Sequence, residues 1–402
     1  MLTFNQALQV LISNIQPLAA QTLSLVEAHG LVLASSVSAR YDMPRWDNSA
    51  MDGFAFDSES FTGSGALTIT GRSFAGHPYN SRLQIGEAVQ ITTGAILPEG
   101  ADSVVPLEDV DSKGDQLLIN KNVTRGQHVR YLGEEFQAGE ELLAAGTRLN
   151  AGEIGLLASA GVVRVEVVPK PRVAVFSTGD ELVELGQVPG PGQIVNSNLQ
   201  YLIARISECG CIPIPLGIGH DDAGDLNKLL DQGLEADLLL STGGVSVGEK
   251  DMVQKTLLAR GFERKFWKVA IKPGKPVLFG LLNDKPFLGL PGNPAATAAT
   301  YELFVYPALR RLAGWTAPCL PRLRATLTDD VKGDGKRQSF LWGRIEMRDG
   351  RPFFDPFFHQ GSGQHRSVQG AQALLPVEID SPGLTAGSEA DVFVLRLPSS
   401  VI

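Results

Sequence analysis

The sequence predicts a multidomain α/β plus β protein, in which a central α/β parallel-sheet domain is flanked along the chain by smaller β-rich regions. Its 402 residues exceed what one ordinary hydrophobic core organises. Between residues 170 and 242, buried strands alternate with amphipathic helices, which is the pattern of a parallel sheet. Residues 57–129 and those after 317 carry short apolar runs separated by turn residues, which predict two small β domains.

The first 40 residues predict a helix, a short link and a second short helix. Pro17 closes the first helix, and residues 23–30 would form the second. The apolar residues of the first helix recur at the spacing of one helix face: Leu8, Leu11, Ile12 and Ile15. A connector with apolar content spans 134–168.

The central domain begins after Lys170-Pro171. Its strands and helices alternate, so the connections are expected to be right-handed crossovers between parallel strands. Pro213 and Pro215 place the second strand at a sheet edge, because proline has no N–H for a ladder. The predicted elements are a strand at 172–176, a helix from Asn198, a strand at 212–218, a helix capped by Asp221 or Asp222, and a strand at 237–240.

Composition excludes several classes of function. The net charge of −9 disfavours nonspecific binding of nucleic acid. No apolar run approaches the roughly 18 residues of a membrane span, and no Lys or Arg precedes Arg40 to suggest a targeting peptide. The three cysteines predict thiols in a reducing cytoplasm. The stretch 260–324 holds 11 Lys or Arg against three acids, which suits a small anionic ligand or is a chance cluster on a solvated face.

Five polar loops follow apolar runs of the central domain. Ligands of open α/β sheets bind beyond the carboxyl ends of the strands, so these loops are expected to share one crevice. They are Ser177-Thr178-Gly179-Asp180-Glu181, His220-Asp221-Asp222, the stretch 241–251, Lys272-Pro273-Gly274-Lys275-Pro276 and Leu290-Pro291-Gly292-Asn293-Pro294.

The loop 241–251 predicts an oxyanion site. Gly243 and Gly244 let backbone N–H groups approach a ligand, Ser246 adds a hydroxyl, and a helix starting near Asp251 adds its positive dipole end. The loop matches neither nucleotide-binding glycine motif, and a purely structural turn stays an equal alternative.

Charged residues in the other loops point to an anion and a cation. Lys272 and Lys275 lie on one proline-stiffened turn and would repel each other without an anion between them. Carboxylates beside a phosphate imply a bridging cation, and Mg²⁺ is the expected one. They are Asp180, Glu181, Asp221 and Asp251, although helix capping alone would also explain Asp221.

In combination, these motifs resemble the molybdopterin molybdenumtransferase family of MoeA-type proteins and gephyrin E domains. The resemblance also rests on two stretches outside the central domain, Asp47-Asn48-Ser49-Ala50-Met51-Asp52-Gly53 and Thr93-Gly94-Ala95, and on Gly361-Ser362-Gly363. It implies an elongated N-terminal dimerisation domain (1–45 and 131–169), an inserted small β domain (46–130), an α/β molybdopterin-binding domain (170–316) and a C-terminal β domain (317–402).

The resemblance further implies a cytoplasmic homodimer that uses Mg²⁺ to insert molybdate into adenylated molybdopterin and release AMP. A partner adenylyltransferase could supply the substrate, and tungstate remains an alternative to molybdate. The implied catalytic residues are Glu181, Asp221, Asp52 and Lys272, and the implied metal ligands are Asp221, Glu181 and Asp251. The implied cofactor-binding residues are Gly243, Gly244, Ser246, Asp251, Thr93, Lys268, Lys275, Pro276, Ser362 and Arg366, with Asp52 and Thr93 coming from the partner subunit.

The chain departs from the family pattern at three positions. Glu135 stands where the family has Asp, Trp342 stands where it usually has Arg, and Gln364-His365-Arg366 replaces more apolar residues. We hypothesise that Arg366 supplies the missing guanidinium. A noncatalytic dimeric scaffold that binds a peptide and a generic nucleotide-dependent transferase are the competing functions.

Overall fold

A computed structural model describes residues 1–61, 65–220, 222–245 and 252–397. The chain folds into two compact units. Met1–Gln21, Gly30–Ala34 and Val167–Ile402 form the first, whereas Thr22–His29 and Ser35–Glu166 form the second. Within the described ranges, no helix is both long and apolar enough to cross a membrane.

The first unit contains the predicted parallel sheet. The first four strands of the sheet pair in parallel, and each of the last two pairs antiparallel with the strand before it. The spatial order is Ile212–Gly219, Arg172–Thr178, Leu238–Thr242, Lys285–Leu290, Leu278–Leu282 and Glu263–Trp267. This confirms the α/β prediction. The strand that carries Pro213 and Pro215 lies at the sheet edge, as expected for residues that cannot donate to a ladder.

Helices of the first unit connect and cover these strands. They are Ser197–Glu208, Ala223–Gly233, Met252–Ala259, Pro294–Thr300 and Tyr306–Leu312, the last two joined by a π-helix at Tyr301–Val305. The prediction that Asn198 starts the first of them was wrong, since the Asn196 side chain accepts from Leu199 N and caps the helix two residues earlier. Asp222 caps the second helix by accepting from two amides, and Asp221 lies outside the described residues.

The predicted N-terminal helix forms at Phe4–Ser13 and is capped reciprocally by Thr3 and Gln6. Phe4 then packs edge-on against Phe304, Phe340 and Phe393 with ring centroids 5.1–6.0 Å apart. One apolar core therefore links the N-terminal helix, the central sheet and the C-terminal strands.

The second short helix predicted at 23–30 does not form. The chain makes a strand at Gln21–Ser24 and then a turn, in which the Glu27 carboxylate accepts from the Ser24 amide and hydroxyl. Sheet pairing of Gln21–Ser24 and the Ser24–Glu27 hydrogen bonds satisfy this stretch as a strand and a turn, so tertiary context overrides its helical tendency.

The C-terminal strands of the first unit close a ring of five. In order, the ring contains Gln338–Arg348, Arg351–Pro356, Arg322–Leu327, Glu389–Val394 and Ala373–Val377, and the last pairs back with the first. This confirms the predicted C-terminal β domain. The first unit also contains three smaller strand pairs: Leu182–Val183 with Ile194–Val195, Val331–Lys332 with Gly383–Leu384, and Val32–Leu33 with Arg164–Val168. A 3-10 turn spans His365–Ser367.

The second unit contains the predicted small β domain as a mixed six-stranded sheet. Its order is Ser103–Pro106, Gly53–Phe56, Glu87–Ile91, Ala66–Ser73, Gln116–Ile119 and Val110–Lys113. Its other elements are the helix Ala151–Ser159, the 3-10 turns Ser58–Ser60 and Leu107–Asp109, and the pairs Val37–Ser38 with Glu141–Leu143 and Asn48–Ser49 with Val129–Arg130.

Candidate functional site

A cleft of about 770 Å³ lies at the carboxyl ends of the parallel strands. Its lining includes residues from three of the predicted loops, at 177–181, 242–245 and 291–294. The rest of the lining comes from Leu182, residues 194–198, Pro276 of the lysine-rich turn, and Gly363 and His365 near the C-terminal motif. A fourth loop lies alongside, since His220 Nδ1 is 3.7 Å from Asp180 Oδ1. The topology of the sheet thus brings together polar loops that are more than 100 residues apart in sequence.

Two glycines shape the floor of the cleft. Gly243 and Gly244 have φ angles of +86° and +62°, a region that side-chain-bearing residues rarely occupy. A Cβ atom at Gly243 would lie 2.4 Å from the carbonyl oxygen of Thr178. The floor therefore requires glycine both for its backbone angles and for its closeness to the neighbouring strand. Ser246 and Asp251, predicted to act with these glycines, lie outside the described residues.

Asn198 holds two loops of the cleft together. Its amide nitrogen donates to the carbonyl oxygen of Gly292 at 2.7 Å and to the Thr242 hydroxyl at 3.1 Å. The Thr242 hydroxyl in turn donates to the Pro291 carbonyl at 3.1 Å. Sequence reasoning assigned Asn198 to a helix start and missed this role, because its partners are far away along the chain.

Glu181 provides the one carboxylate that lines the cleft among the described residues. Asp221 and Asp251, its predicted companions as metal ligands, fall outside those residues, and the described part of the chain holds no group of three potential ligands. Mg²⁺ is commonly held by one or two carboxylates together with substrate phosphates. Glu181 fits that requirement. The buried Thr178 hydroxyl also has no hydrogen-bond partner among the described residues, which leaves a polar atom at the cleft wall.

The lysine-rich turn folds back on the strand before it. Lys275 accepts at its carbonyl from the amides of Val269 and Val277, at 3.0 and 3.1 Å. The ammonium of Lys268 lies 3.7 Å from the centroid of the Trp267 ring, which favours a cation. Lys272 does not line the cleft, and its Nζ atom lies 2.9 Å from Asp334 Oδ1.

The C-terminal stretch lines the cleft with Gly363 and His365, and the predicted residue Ser362 lies beside it without lining it. Ser362 accepts at its carbonyl from Ala295 N at 2.9 Å, and its hydroxyl accepts from Asn293 Nδ2 at 3.3 Å. His365 Nε2 lies 2.8 Å from the Ser197 hydroxyl. Asn293 belongs to a predicted loop and His365 adjoins a predicted motif, but no spacing in the sequence indicated a role for either side chain.

Arg366 lies in a different place from its neighbour His365. It lines a separate depression of about 530 Å³ together with Arg344 and Phe357. The guanidinium of Arg344 stacks on the Phe357 ring there, at 5.3 Å from the centroid. Neither arginine is among the residues that line the cleft, so the structure does not bring Arg366 to the predicted site.

Asp52 and Thr93 lie in the second unit and contact each other. Asp52 Oδ1 accepts from the Thr93 amide at 2.7 Å and from its hydroxyl at 2.9 Å. These two hydrogen bonds lower the pKa of the exposed Asp52 carboxyl, so it is ionised at neutral pH. The pair presents a fixed negative charge to solvent.

An open cleft at the carboxyl ends of parallel strands, with a glycine floor, amide donors and a carboxylate, defines a ligand-binding α/β protein. Family models define it further. "MoeA N-terminal region (domain I and II)" matches residues 2–161, "Probable molybdopterin binding domain" matches 174–311 and "MoeA C-terminal region (domain IV)" matches 324–395. The chain belongs to the molybdopterin molybdenumtransferase family, as the resemblance predicted.

Relatives and solved structures agree with this assignment. Molybdopterin molybdenumtransferases from Nostoc sp. and Haemophilus influenzae are 37% and 36% identical, over 94% and 98% of this chain and 89% and 98% of theirs. The crystal structure of a molybdopterin biosynthesis MoeA protein from Pyrococcus horikoshii superposes with a TM-score of 0.84 at 29% identity. That comparison covers 98% of this chain and 99% of the other.

Proposed function

We propose that the protein is a molybdopterin molybdenumtransferase, which inserts molybdate into adenylated molybdopterin and releases AMP. The observation that carries the proposal is the cleft at the strand ends, built from the family's motifs in a chain that matches the family along nearly its whole length. Both substrates are anions, so the site must hold negative charge while excluding water from the reacting sulfur atoms.

The cleft residues support binding of the phosphorylated substrate. The floor at Gly243 and Gly244 brings backbone close to a ligand without a side chain between them. Asn198 fixes the opposing loop at Gly292, so both walls keep their spacing when the ligand enters. Gly363 and His365 close the side that comes from the C-terminal domain, where His365 contacts the Ser197 hydroxyl.

Charge in and near the cleft supports the rest of the reaction. Mg²⁺ would be held by Glu181 and would offset phosphate charge at the leaving AMP. Lys272 and Lys275 lie on the turn whose Pro276 lines the cleft, and they would concentrate molybdate beside it. In this proposal Ser246, Asp221 and Asp251 keep their predicted roles as phosphate and metal contacts.

We also propose that the enzyme works as a homodimer in the cytoplasm. Asp52 and Thr93 would then approach the cleft of the partner subunit, and their fixed carboxylate would act there as a polar wall or proton acceptor. The three thiols Cys209, Cys211 and Cys319 are unpaired, which supports a reducing compartment. An adenylyltransferase would supply the adenylated substrate.

AMP release from adenylated molybdopterin, measured with and without molybdate, tests the function. We expect release that depends on molybdate and on Mg²⁺. A scaffold without catalysis would bind the substrate and release no AMP, and a generic nucleotide-dependent transferase would release AMP equally without molybdate. Either result would remove the proposal.

Gly243→Ala tests whether the glycine floor is the binding surface. Its Cβ would collide with Thr178, so we expect kcat/KM for adenylated molybdopterin to fall about tenfold or more. Gly192→Ala is the matched control, because Gly192 has a similar φ of +79° but no atom near its Cβ position. Equal losses in both variants would assign the effect to backbone strain instead of the cleft.

A further inference from the structure

A depression on the C-terminal domain, separate from the cleft, combines two arginines with two aromatic rings. Its volume is about 530 Å³. The side chains that line it are those of Arg344, Phe357, Phe358, His359, Arg366 and Gln369. No described residue of the lining is acidic. We call this surface the arginine depression.

The guanidiniums of Arg344 and Arg366 have no carboxylate partner among the described residues. Asp355 lies across the strand pair from Arg344, but its carboxylate accepts from the Thr328 hydroxyl, at 3.3 Å. Two cations in one depression repel each other when no anion lies between them. The depression therefore presents positive charge that the described protein does not neutralise.

Arg348, on the same strand as Arg344, shows the paired form of the same contact. The Cζ atom of Arg344 lies 5.3 Å from the centroid of the Phe357 ring, and that of Arg348 lies 4.9 Å from the centroid of Phe353. Arg348 Nη2 also lies 2.6 Å from Glu346 Oε2. Arg344 has the ring contact without the carboxylate, so a carboxylate from another molecule would complete the pair.

The arginine depression is open and carries an exposed aromatic ring. Within the part of the chain that the structure describes, Phe357 is the one lining residue that is not exposed, whereas sites for small molecules usually enclose most of the ligand. Phe358 is 95% exposed, and its ring meets that of His359 edge-on at 5.1 Å. Aromatic residues and arginine are enriched where proteins bind each other, and Lys, Asp and Glu are depleted. The lining therefore matches a surface that binds a protein segment.

The charge of the depression selects the kind of partner. Nucleic acid also offers anions to arginine, but the net charge of −9 disfavours its approach. A carboxylate can accept two hydrogen bonds from one guanidinium, and an aromatic side chain can pack on an exposed ring. An acidic protein segment with an aromatic residue supplies both groups.

We propose that the arginine depression is a docking surface for a partner protein that presents an acidic segment with an aromatic residue. Carboxylates of the segment would bind Arg344 and Arg366, and its ring would pack on Phe358. His365 lines the cleft and the next residue, Arg366, lines the depression, so the docked protein lies beside the cleft. That position suits a protein that exchanges substrate or product with the cleft. The proposal goes beyond the proposed function, because docking requires no turnover.

Fluorescence polarisation of the full-length protein with a labelled peptide, Gly-Asp-Glu-Trp-Glu-Asp-Gly, tests the proposal. One control peptide has Asn and Gln in place of the acids, and a second has Ala in place of Trp. We expect each control peptide to bind about tenfold more weakly than the acidic aromatic one. Arg344→Gln and Arg366→Gln should each weaken binding of the acidic aromatic peptide about tenfold, because each removes a charged donor.

Arg348→Gln is the matched control, because it removes an arginine of the same strand that already has a carboxylate partner. It should leave the affinity for the peptide unchanged. No binding of the acidic peptide, equal affinity for the three peptides, or unchanged affinity in Arg344→Gln and Arg366→Gln would each overturn the proposal. Thermal unfolding midpoints equal to that of the unchanged protein show that the variants fold.

A charge swap tests the assigned contacts directly. The double variant Arg344→Glu and Arg366→Glu should bind a peptide with lysines in place of its acids more tightly than the acidic peptide. A retained preference for the acidic peptide would overturn the proposal. Loss of the proposed homodimer in this variant, measured by light scattering, would overturn it too, because a second copy of this chain would then be the occupant of the surface.

Discussion

Two arginine–carboxylate pairs in the first unit differ in burial although their geometry is alike. Arg205 donates to the two oxygens of Glu302 at 2.8 and 2.9 Å, and Arg337 donates to those of Asp334 at 2.9 and 3.1 Å. The Arg205 and Glu302 side chains are 7% and 2% exposed, whereas those of Arg337 and Asp334 are 31% and 13% exposed. The same pairing therefore occurs once in the core and once where solvent can reach it.

The pKa directions of the two carboxyls express this difference. Burial raises the pKa of Glu302 even though Arg205 opposes the change, because a charged group without water is unfavourable. The pKa of Asp334 falls to about 2, since hydrogen bonds from cations dominate there and water is close. Glu302 therefore needs Arg205 to remain ionised, because burial favours its neutral form. Asp334 stays ionised because its hydrogen bonds outweigh a small effect of burial.

The largest effect should come from breaking the buried pair. Arg205→Met leaves the Glu302 charge in an apolar core, and we expect it to lower the free energy of unfolding by about 3–5 kcal/mol. Urea unfolding followed by tryptophan fluorescence measures the change. Arg324→Met removes an exposed arginine paired with Glu389 and Asp391, and it should lower that free energy far less, because solvent screens the pair.

A double variant separates the effect of the isolated Glu302 charge from the effect of lost packing around Arg205. Arg205→Met combined with Glu302→Leu replaces both charges by apolar groups, so it should recover most of the lost stability. If the double variant is as unstable as Arg205→Met alone, the loss comes from packing around Arg205 and not from the isolated carboxylate.

A smaller effect, with a defined pH dependence, should follow from Asp334→Asn. We expect the free energy of unfolding to fall by about 1 kcal/mol or less at pH 7. The Asp334 carboxyl has a lowered pKa of about 2 in the fold against an ordinary value of 3.8, so its contribution is complete above pH 3.8. Below that value the contribution declines, and it disappears as the pH falls through about 2.

Unfolding midpoints of the unchanged protein and Asp334→Asn, compared from pH 7 to pH 3, measure this dependence. The difference between the two proteins should stay constant down to about pH 4 and then shrink. A difference that grows on acidification would contradict the assigned direction. The pH dependence from Glu302 has the opposite sign, because its pKa is raised in the fold. Its contribution to the free energy of unfolding therefore increases as the pH falls.

The smallest effect on molybdate affinity and turnover is expected at Arg366, the arginine that the sequence had suggested. Arg366→Ala should change molybdate affinity and turnover by less than about twofold, since Arg366 lines a depression apart from the cleft. Molybdate titration and AMP release measure it. A loss of about tenfold would restore Arg366 as the guanidinium that replaces the family's arginine.

Local pattern predicted much of the fold and several components of the site. The apolar spacing of Leu8, Leu11 and Ile15 predicted the first helix, and proline content predicted the edge position of the strand at 212–219. Gly243 and Gly244 could be selected from sequence, because few residues other than glycine occupy their backbone angles. These features depend on neighbouring residues alone.

Contacts between distant residues could not be predicted in the same way. Asn198 gave a capping signal, yet Asn196 caps the helix and Asn198 donates to Gly292 instead. Nothing along the chain indicated that Lys272 would meet Asp334 and Arg337, which lie more than 60 residues away. Arg366 was chosen because it adjoins a motif, and that reasoning cannot show to which side of a turn a side chain points.

The sequence by itself determined the class of fold, the family and the residue types of the cleft, because periodicity, glycine conformation and charge are properties of short segments. The tertiary structure alone decided which charges face each other and which are removed from water. Electrostatic interactions depend on distance and on the surrounding dielectric. Helix packing sets both for Arg205 and Glu302 in the core, and the strand pairing of Lys272 with Ser339 sets both for the more exposed Asp334.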